Sequence, residues 1–203
     1  MKPDEIEKLS FQIIDREAGS HDFSTQQWEI VRRMIHTSAD FEYMQTVHFH
    51  KDALAAGLGA IRSGKQIITD TNMARVGIRK TELSRYGVQV NCLMNETGIH
   101  ERARAAGSTR AKAAVEAAVE AMEGGIYVVG NAPTALLRLV ELIKSGEARP
   151  ALVIGMPVGF VNAAESKAAL MELDHPYISN EGRKGGSNVA ASAVNALAIL
   201  ALR

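Results

Sequence analysis

Gly125-Ile126-Tyr127-Val128-Val129-Gly130 is a short apolar run, rich in β-branched and aromatic residues, that lies between two glycines. Ala151-Leu152-Val153-Ile154-Gly155-Met156 has the same character. Apolar runs of this length with turn residues at their ends predict β-strands that are buried on both faces. Between the two runs, Thr134–Lys144 has the apolar spacing of an amphipathic helix. A helix that connects two such strands is typical of a parallel sheet.

The alternation of strands and helices continues on both sides of this central unit. Three weaker strands are predicted at Gln66–Thr69, Val88–Leu93 and Tyr177–Ser179, and three further helices at Thr109–Met122, Ala163–Leu173 and Asn188–Leu202. Strands that alternate with helices form a parallel sheet with helices on both faces. The sequence therefore predicts an α/β fold with a mostly parallel sheet of about five strands.

The N-terminal part is predicted to be helical. Helical spacing covers three segments, which are Glu5–Arg16, Thr25–Thr37 and, approximately, Lys51–Ile61. Ser24 and Gln27 match the capping box that begins a helix. The sequence has no convincing internal repeat or long linker, so we expect one domain over residues 1–203, with 1–63 mainly helical and 64–203 carrying the sheet.

Composition limits the class of protein. The chain has 203 residues with 23 basic and 23 acidic side chains, and this balance argues against nucleic acid as the main partner. Cys92 is the single cysteine, so no internal disulfide is possible and a reducing compartment such as the cytoplasm is expected. The first residues are charged, which argues against a signal peptide, and no apolar segment reaches the length of a membrane span.

Glycine, proline and asparagine follow the predicted strands, where ligands collect in parallel α/β sheets. These loops are Gly130–Thr134, Met156–Asn162 and Asn180–Asn188. Pro133 suits the first turn of a helix, and Asn162 with Glu165 matches a capping arrangement. The third loop carries Arg183, Lys184 and several glycines, so it could bind a carboxylate or phosphate. It could equally be an ordinary turn before a helix.

His36 is the one residue whose position suggests catalysis. It lies at the end of the predicted second helix, beside a buried stripe that includes Val31 and Ile35. The carbonyl end of a helix favours a protonated imidazole, whereas the nearby Arg32 and Arg33 oppose it unless an anionic ligand neutralises them. His36 is thus either a general acid that depends on substrate or an ordinary surface residue at a helix end.

Several common site motifs are absent from the sequence. There is no G-x-G-x-x-G after a predicted strand, no Walker A sequence and no G-x-S-x-G elbow. His48 and His50 have no cysteines or carboxylates at ligand spacing, so no metal site is predicted. Cys92 is expected to be a small buried apolar residue at a strand end.

Four blocks of the sequence together resemble the precorrin-8X methylmutase family. They are Arg33-Met34-Ile35-His36, Gly130-Asn131-Ala132-Pro133-Thr134-Ala135-Leu136, Gly155–Val161 with Ala163–Lys167, and Gly182-Arg183 with Gly185-Gly186-Ser187. Ser10-Phe11, Asp70 and Thr109-Arg110 also fall where that family has comparable residues. The resemblance runs from about Ser10 to Leu197, nearly the whole chain.

The resemblance implies an isomerase of cobalamin biosynthesis that moves a methyl group from C-11 to C-12 of a corrinoid macrocycle. It implies that His36 donates a proton to the macrocycle, that no cofactor or metal is bound by the protein, and that the chain forms a homodimer. Ser10, Arg33 and Arg110 are then substrate contacts, with Asp70, Gly185, Gly186 and Ser187 as further candidates.

The ring itself should lie on apolar side chains such as Met156, Val158 and Phe160, with arginines and backbone amides at its carboxylates. Two other functions remain open. One is a corrinoid-binding or carrier protein without catalysis, and the other is a nucleotide-binding α/β enzyme.

Overall fold

The computed structural model describes residues 2–203, which contain one six-stranded sheet. Its strands are β1 Val47–Phe49, β2 Ile67–Thr69, β3 Val90–Asn91, β4 Ile126–Val129, β5 Leu152–Gly155 and β6 Tyr177–Asn180. Their spatial order is β1-β6-β5-β4-β2-β3, and every pair is parallel except β1 with β6. The predicted mostly parallel α/β fold is confirmed, with one more strand than expected.

Helices cover both faces of this sheet. They are α1 Pro3–Ala18, α2 Thr25–Ser38, α3 Tyr43–Thr46, α4 Ala53–Arg62, α5 Asn72–Gly77, α6 Lys80–Ser84, α7 Ile99–Ala105, α8 Arg110–Ala117, α9 Pro133–Lys144, α10 Ala163–Met171 and α11 Ser187–Ala201, with a 3₁₀ turn at Leu93–Asn95. Among the described residues, no helix has the length and hydrophobicity needed to cross a bilayer.

The two faces of the sheet bury separate apolar cores. Ile126 and Val128 of β4 face the core that contains α2, α4 and α11, whereas Tyr127 and Val129 face the core that contains α8 and α9. Side chains of a strand alternate between faces, so one apolar run serves both cores. This is why all four residues of β4 are aliphatic or aromatic.

Two of the predicted helix N-termini agree with the structure, and a third differs in its capping hydrogen bond. Ser24 Oγ accepts a hydrogen bond from the Gln27 N–H, and the Ser24 N–H donates to Gln27 Oε1, which confirms the predicted capping box. Pro133 is the first residue of α9, as expected. Asn162 is the N-cap residue of α10 as predicted, but its backbone is left-handed with φ 60° and its side chain makes no cap hydrogen bond.

The antiparallel strand β1 has a consequence for the position of α2. Val47 is paired with Asn180, the last residue of β6, so β1 begins at the edge where the parallel strands end. The chain from the end of α2 to Val47 therefore reaches the carboxyl edge of the sheet. His36, in the last turn of α2, is brought toward the same edge as the loops that follow β4, β5 and β6.

Candidate active site

His36 is exposed at the wall of a shallow depression between α1 and the end of α2. The depression has a volume of about 320 Å³, and its lining residues are Ser10, Ile13, Ile14, Glu17, Ile35, His36, Ala39 and Phe41. The imidazole packs against the edge of the Phe11 ring at a centroid distance of 5.2 Å. His36 is thus accessible and oriented by an aromatic neighbour, in a largely apolar setting.

The two arginines beside His36 are already paired with carboxylates of this chain. Arg32 lies 2.9 Å from Asp15 and 3.4 Å from Glu29, and Arg33 lies 3.1 Å from Glu7. The sequence alone indicated that an anionic ligand would be needed to offset these cations. The structure corrects this, because the three carboxylates offset much of their charge without a ligand.

Arg33 keeps one unused donor. Its Nε–H is buried and has no hydrogen-bond partner within residues 2–203, although its guanidinium is paired with Glu7 and lies 5.0 Å from the Phe11 ring centre. Ser10 is half-buried in the same region, and its hydroxyl donates to the Ile6 carbonyl at 2.9 Å. Arg33 and His36 therefore both lie against Phe11, and Ser10 lines the depression beside His36.

A lysine connects this region to the loop between β6 and α11. Lys184 Nζ donates to Asp40 Oδ2 at 2.6 Å and to Glu42 Oε2 at 2.7 Å, and Asp40 lies four residues beyond His36. These hydrogen bonds raise the pKa of Lys184 and lower the pKa of Asp40. The loop that was predicted to bind an anion is therefore tied to the end of the helix that carries His36.

An apolar surface lies beside this connection. A cavity of about 440 Å³ is lined by Glu42, Val158, Gly159, Phe160, Arg183 and Lys184. The Phe160 side chain is 86% exposed, and the Arg183 guanidinium carbon lies 5.4 Å from its ring centre. Val158 and Phe160 can face a flat ligand as predicted, but Met156 cannot, because it is fully buried in the core.

Gly185 and Gly186 precede the helix α11 and have backbone conformations that favour glycine. Gly185 has φ 155°, and a Cβ there would lie 2.3 Å from the Met156 carbonyl oxygen. The Gly186 N–H donates to that same oxygen at 2.9 Å. Ser187 Oγ is hydrogen-bonded to Thr71 Oγ1 at 2.9 Å, and no side chain caps the first N–H groups of α11. The loop is therefore packed closely on the end of β5.

Asp70 is buried, and its carboxylate is occupied by backbone groups. It accepts hydrogen bonds from the N–H groups of Gly130, Asn131 and Ala132 at 2.9, 2.8 and 2.8 Å. Burial raises the pKa of Asp70, while these hydrogen bonds act to lower it. The geometry gives Asp70 a supporting role, since it fixes the loop that leads from β4 into α9.

Arg110 is exposed at the first turn of α8. Thr109 caps that helix and also hydrogen-bonds Thr134 of α9 at 3.1 Å, so Arg110 lies near the start of α9. Its helix packs on the face of the sheet opposite α2. Within one chain, the structure therefore does not place Arg110 in the group around His36.

His48 of β1 and His50, the residue that follows this strand, contact different carboxylates. His48 Nε2 lies 2.8 Å from Glu181, and His50 Nε2 lies 3.1 Å from Asp174. Across residues 2–203, no group of three or more metal-ligating side chains converges. Cys92 is partly exposed, so its predicted burial is wrong.

Comparison with known proteins identifies the family. Residues 5–200 match the family model described as precorrin-8X methylmutase. The chain belongs to this family. A cobalt-precorrin-8 methylmutase from Priestia megaterium is 48% identical over 99% of this chain and 89% of its own length. One from Salmonella typhimurium is 43% identical over 97% of this chain and 94% of its own length.

A solved structure agrees with the sequence relatives. The precorrin-8X methylmutase from Thermus thermophilus is 50% identical and superposes with a TM-score of 0.91, covering 98% of this chain and 96% of its own. Membership of the precorrin-8X methylmutase family makes this chain an isomerase of cobalamin biosynthesis that catalyses a methyl migration. The non-catalytic and nucleotide-binding alternatives are not favoured.

Two parts of this methylmutase site were not anticipated from the sequence. The first is the pair of hydrogen bonds from Lys184 to Asp40 and Glu42, which join residues 144 and 142 positions apart in the sequence. Lys167 is fully buried beneath the same loop. The signal available for Lys167 was its place in the Ala163–Lys167 block of the family resemblance.

Proposed function

We propose that this methylmutase moves the methyl group from C-11 to C-12 of a precorrin-8-type macrocycle, with His36 as the proton donor. The observation that carries the proposal is the position of His36. Its imidazole is exposed in an apolar depression, beside Ser10, and at the same edge of the sheet as the loops after β4, β5 and β6. A proton donor needs this access to a bound ring.

In this reaction, the imidazole of His36 has one role, which is to transfer a proton. Its protonated form donates a proton to the macrocycle, which withdraws electron density from the conjugated ring. The bond between C-11 and the methyl carbon then breaks while the bond to C-12 forms, and the proton returns to His36. Substrate and product are isomers, so atoms and electrons balance without a methyl donor or an oxidant. A positioned acid of this kind contributes about a hundredfold or more to the rate.

The remaining site residues bind the ring and its carboxylates. Val158 and Phe160 offer exposed apolar surface to the ring. Arg33, beside His36, and the exposed Arg183 are suited to carboxylates, since guanidinium groups form charge-assisted hydrogen bonds with them. We assign the backbone of Gly185 and Ser187 to the same purpose. Gly186, whose N–H donates to the Met156 carbonyl, and Asp70 hold the neighbouring loops.

We further propose that the chain acts as a homodimer in the cytoplasm and that nucleic acid is not a partner. Ile6, Leu9 and Ile13 expose an apolar stripe on α1, next to Ser10 and the His36 depression. A partner subunit that covered this stripe would close one side of the site and could bring its own Arg110 toward the ring. The single cysteine and the balanced charge are consistent with the compartment and with the lack of a nucleic-acid partner.

The test follows methyl migration by absorption spectroscopy with both cobalt-containing and metal-free precorrin-8. We expect wild type to convert at least one form. His36→Ala should lower kcat about a hundredfold or more. Its dissociation constant for product should stay within about tenfold of wild type, because His36 acts in the transition state.

His100→Ala is the matched control, since His100 is an exposed histidine on α7, on the other face of the sheet. Its kcat should equal that of wild type. A spectral shift without conversion by wild type would indicate a carrier and contradict the proposal. Lost binding with an unchanged rate in the residual complex of His36→Ala would contradict the acid role.

A further inference from the structure

Lys167 is a lysine whose side chain lies entirely inside the protein. It belongs to α10, is 0% exposed, and both of its hydrogen-bond acceptors are neutral oxygens. Burial lowers the pKa of Lys167 to about 8. A buried ammonium group without a carboxylate partner is costly, so an apolar residue would be expected here unless the amine has a task.

The amine is directed at one backbone carbonyl of the loop between β6 and α11. Lys167 Nζ donates to the Lys184 carbonyl oxygen at 2.6 Å and to Asn180 Oδ1 at 3.3 Å. Asn180 Nδ2 donates to the same Lys184 oxygen at 2.9 Å and to the Glu181 carbonyl at 3.0 Å. Two donors from the interior thus hold the Lys184 carbonyl in a fixed direction.

That direction determines where the next N–H group points. The chain has no cis peptide bonds in its described part, so the Gly185 N–H is opposite to the Lys184 carbonyl and points away from the buried amine. This N–H makes no hydrogen bond within residues 2–203. On the outer side, the Lys184 side chain is held by Asp40 and Glu42. The Lys184–Gly185 peptide is therefore held from both sides, and the Gly185 N–H remains an unused donor.

We propose that Lys167 is a positioning residue for substrate binding, which holds the Lys184–Gly185 peptide so that the Gly185 N–H is presented to a substrate carboxylate. This rests on the proposed function, which places the loop at the rim of the macrocycle. Lys167 acts through the loop and does not touch the reacting atoms. Its loss should therefore raise KM and leave kcat nearly unchanged.

The test compares Lys167→Met with Ser166→Ala. Methionine keeps an unbranched side chain in the core but removes the amine. Ser166 is a fully buried neighbour on α10 whose hydroxyl donates to the Ala163 carbonyl, within its own helix and not to the loop, so Ser166→Ala is a matched loss of a buried hydrogen bond. Two measurements are made on each, which are steady-state kinetics and the rate of tryptic cleavage after the exposed Arg183 and Lys184, followed by mass spectrometry.

For Lys167→Met we expect faster cleavage in the loop and a KM about tenfold higher, with kcat within about twofold. Ser166→Ala should match wild type in both measurements. A structural role alone would lower the folded fraction, and with it the apparent kcat, without changing KM. If Lys167→Met does not fold, Asn180→Ala removes the second donor to the same carbonyl and should shift both measurements in the same direction.

Unchanged cleavage and unchanged KM would overturn the proposal. Faster cleavage with unchanged KM would also overturn it, because the loop would then take no part in substrate binding. The cleavage measurement needs no substrate, so it reports on the loop even if wild type fails to convert precorrin-8. Failure of the inference is thus distinguishable from failure of the proposed function.

Discussion

The Phe11 ring lies among three side chains that can carry positive charge. The guanidinium carbons of Arg32 and Arg33 lie 4.5 and 5.0 Å from its centre, and the imidazole of His36 packs against it. Aromatic rings attract cations at such distances. Phe11 and the carboxylates that pair with the two arginines therefore make this crowding of cations tolerable.

Arg110 is the predicted contact that the structure leaves apart from His36, and its removal gives a prediction. Arg110→Ala should raise the dissociation constant for product about tenfold, because a guanidinium–carboxylate pair is lost. Arg149→Ala is the matched control, since Arg149 is exposed at the opposite edge of the sheet, just before β5. Fluorescence or absorption titration measures both. An equal effect of the two substitutions would show that only overall charge matters and would remove Arg110 from the site.

At the scale of single residues, the sequence predicted which residues lie near the site better than it predicted what each of them contacts. His36 was predicted as the proton donor and Ser10 and Arg33 as substrate contacts, because they match a family pattern. The structure places His36 and Arg33 against Phe11, and Ser10 beside His36 in the same depression. Asp70 was proposed as a contact, but its oxygens serve the loop after β4. A sequence does not show which buried acceptor satisfies which distant N–H group, so this difference could not be predicted.

At the scale of elements, the loop after β4 depends on the carboxylate of Asp70. Asp70→Asn replaces one acceptor oxygen by an NH₂ group, which would face backbone N–H groups that are also donors. We expect the free energy of unfolding to fall by about 3 kcal/mol. Urea unfolding measures the loss. Asp22→Asn, an exposed control, should change it by less than about 0.5 kcal/mol. Equal stabilities of the two variants would contradict the supporting role.

The elements that the sequence predicted are those whose apolar pattern is long or continuous. Five elements were located within a few residues, because burial imposes a clear pattern of apolar residues on their sequences. They are β4, β5, α2, α9 and α11. β1 was missed because it has three residues and is an edge strand with intermediate burial. The helices α5, α6 and α7 have five to seven residues each and rely on neighbouring packing, so their sequences carry little helical signal.

At the scale of the whole molecule, α1 is a helix that leaves apolar surface unpartnered beside the site. It packs on α2 and leaves Ile6, Leu9 and Ile13 exposed. We expect size-exclusion chromatography with light scattering to give a dimer for wild type. Leu9→Lys should shift the mass toward the monomer and lower activity, because the stripe borders the His36 depression. Val76→Lys, an exposed apolar position on α5, is the control and should remain dimeric. A monomeric wild type would contradict the proposed assembly.

The pH dependence of stability tests the burial of Lys167 in the folded chain as a whole. Its folded pKa of about 8 lies below its ordinary value of 10.5, so between these values the unfolded chain binds a proton that the folded chain does not. The contribution of Lys167 to the free energy of unfolding must therefore rise with pH in this window. From pH 7 to 9.5, we expect the free energy of unfolding of wild type to gain about 2 kcal/mol relative to Lys167→Met.

The upper limit of pH 9.5 keeps this measurement apart from tyrosine ionisation. Burial raises the pKa of Tyr43 to about 12, and this group lowers stability only as the pH passes its ordinary value of 10. Ser166→Ala retains the amine and should show the same rise as wild type. Urea unfolding at each pH measures the three proteins. A constant difference between wild type and Lys167→Met across this range would mean that the amine is already neutral at pH 7 or is not buried, and the account of Lys167 as a buried ammonium would be wrong.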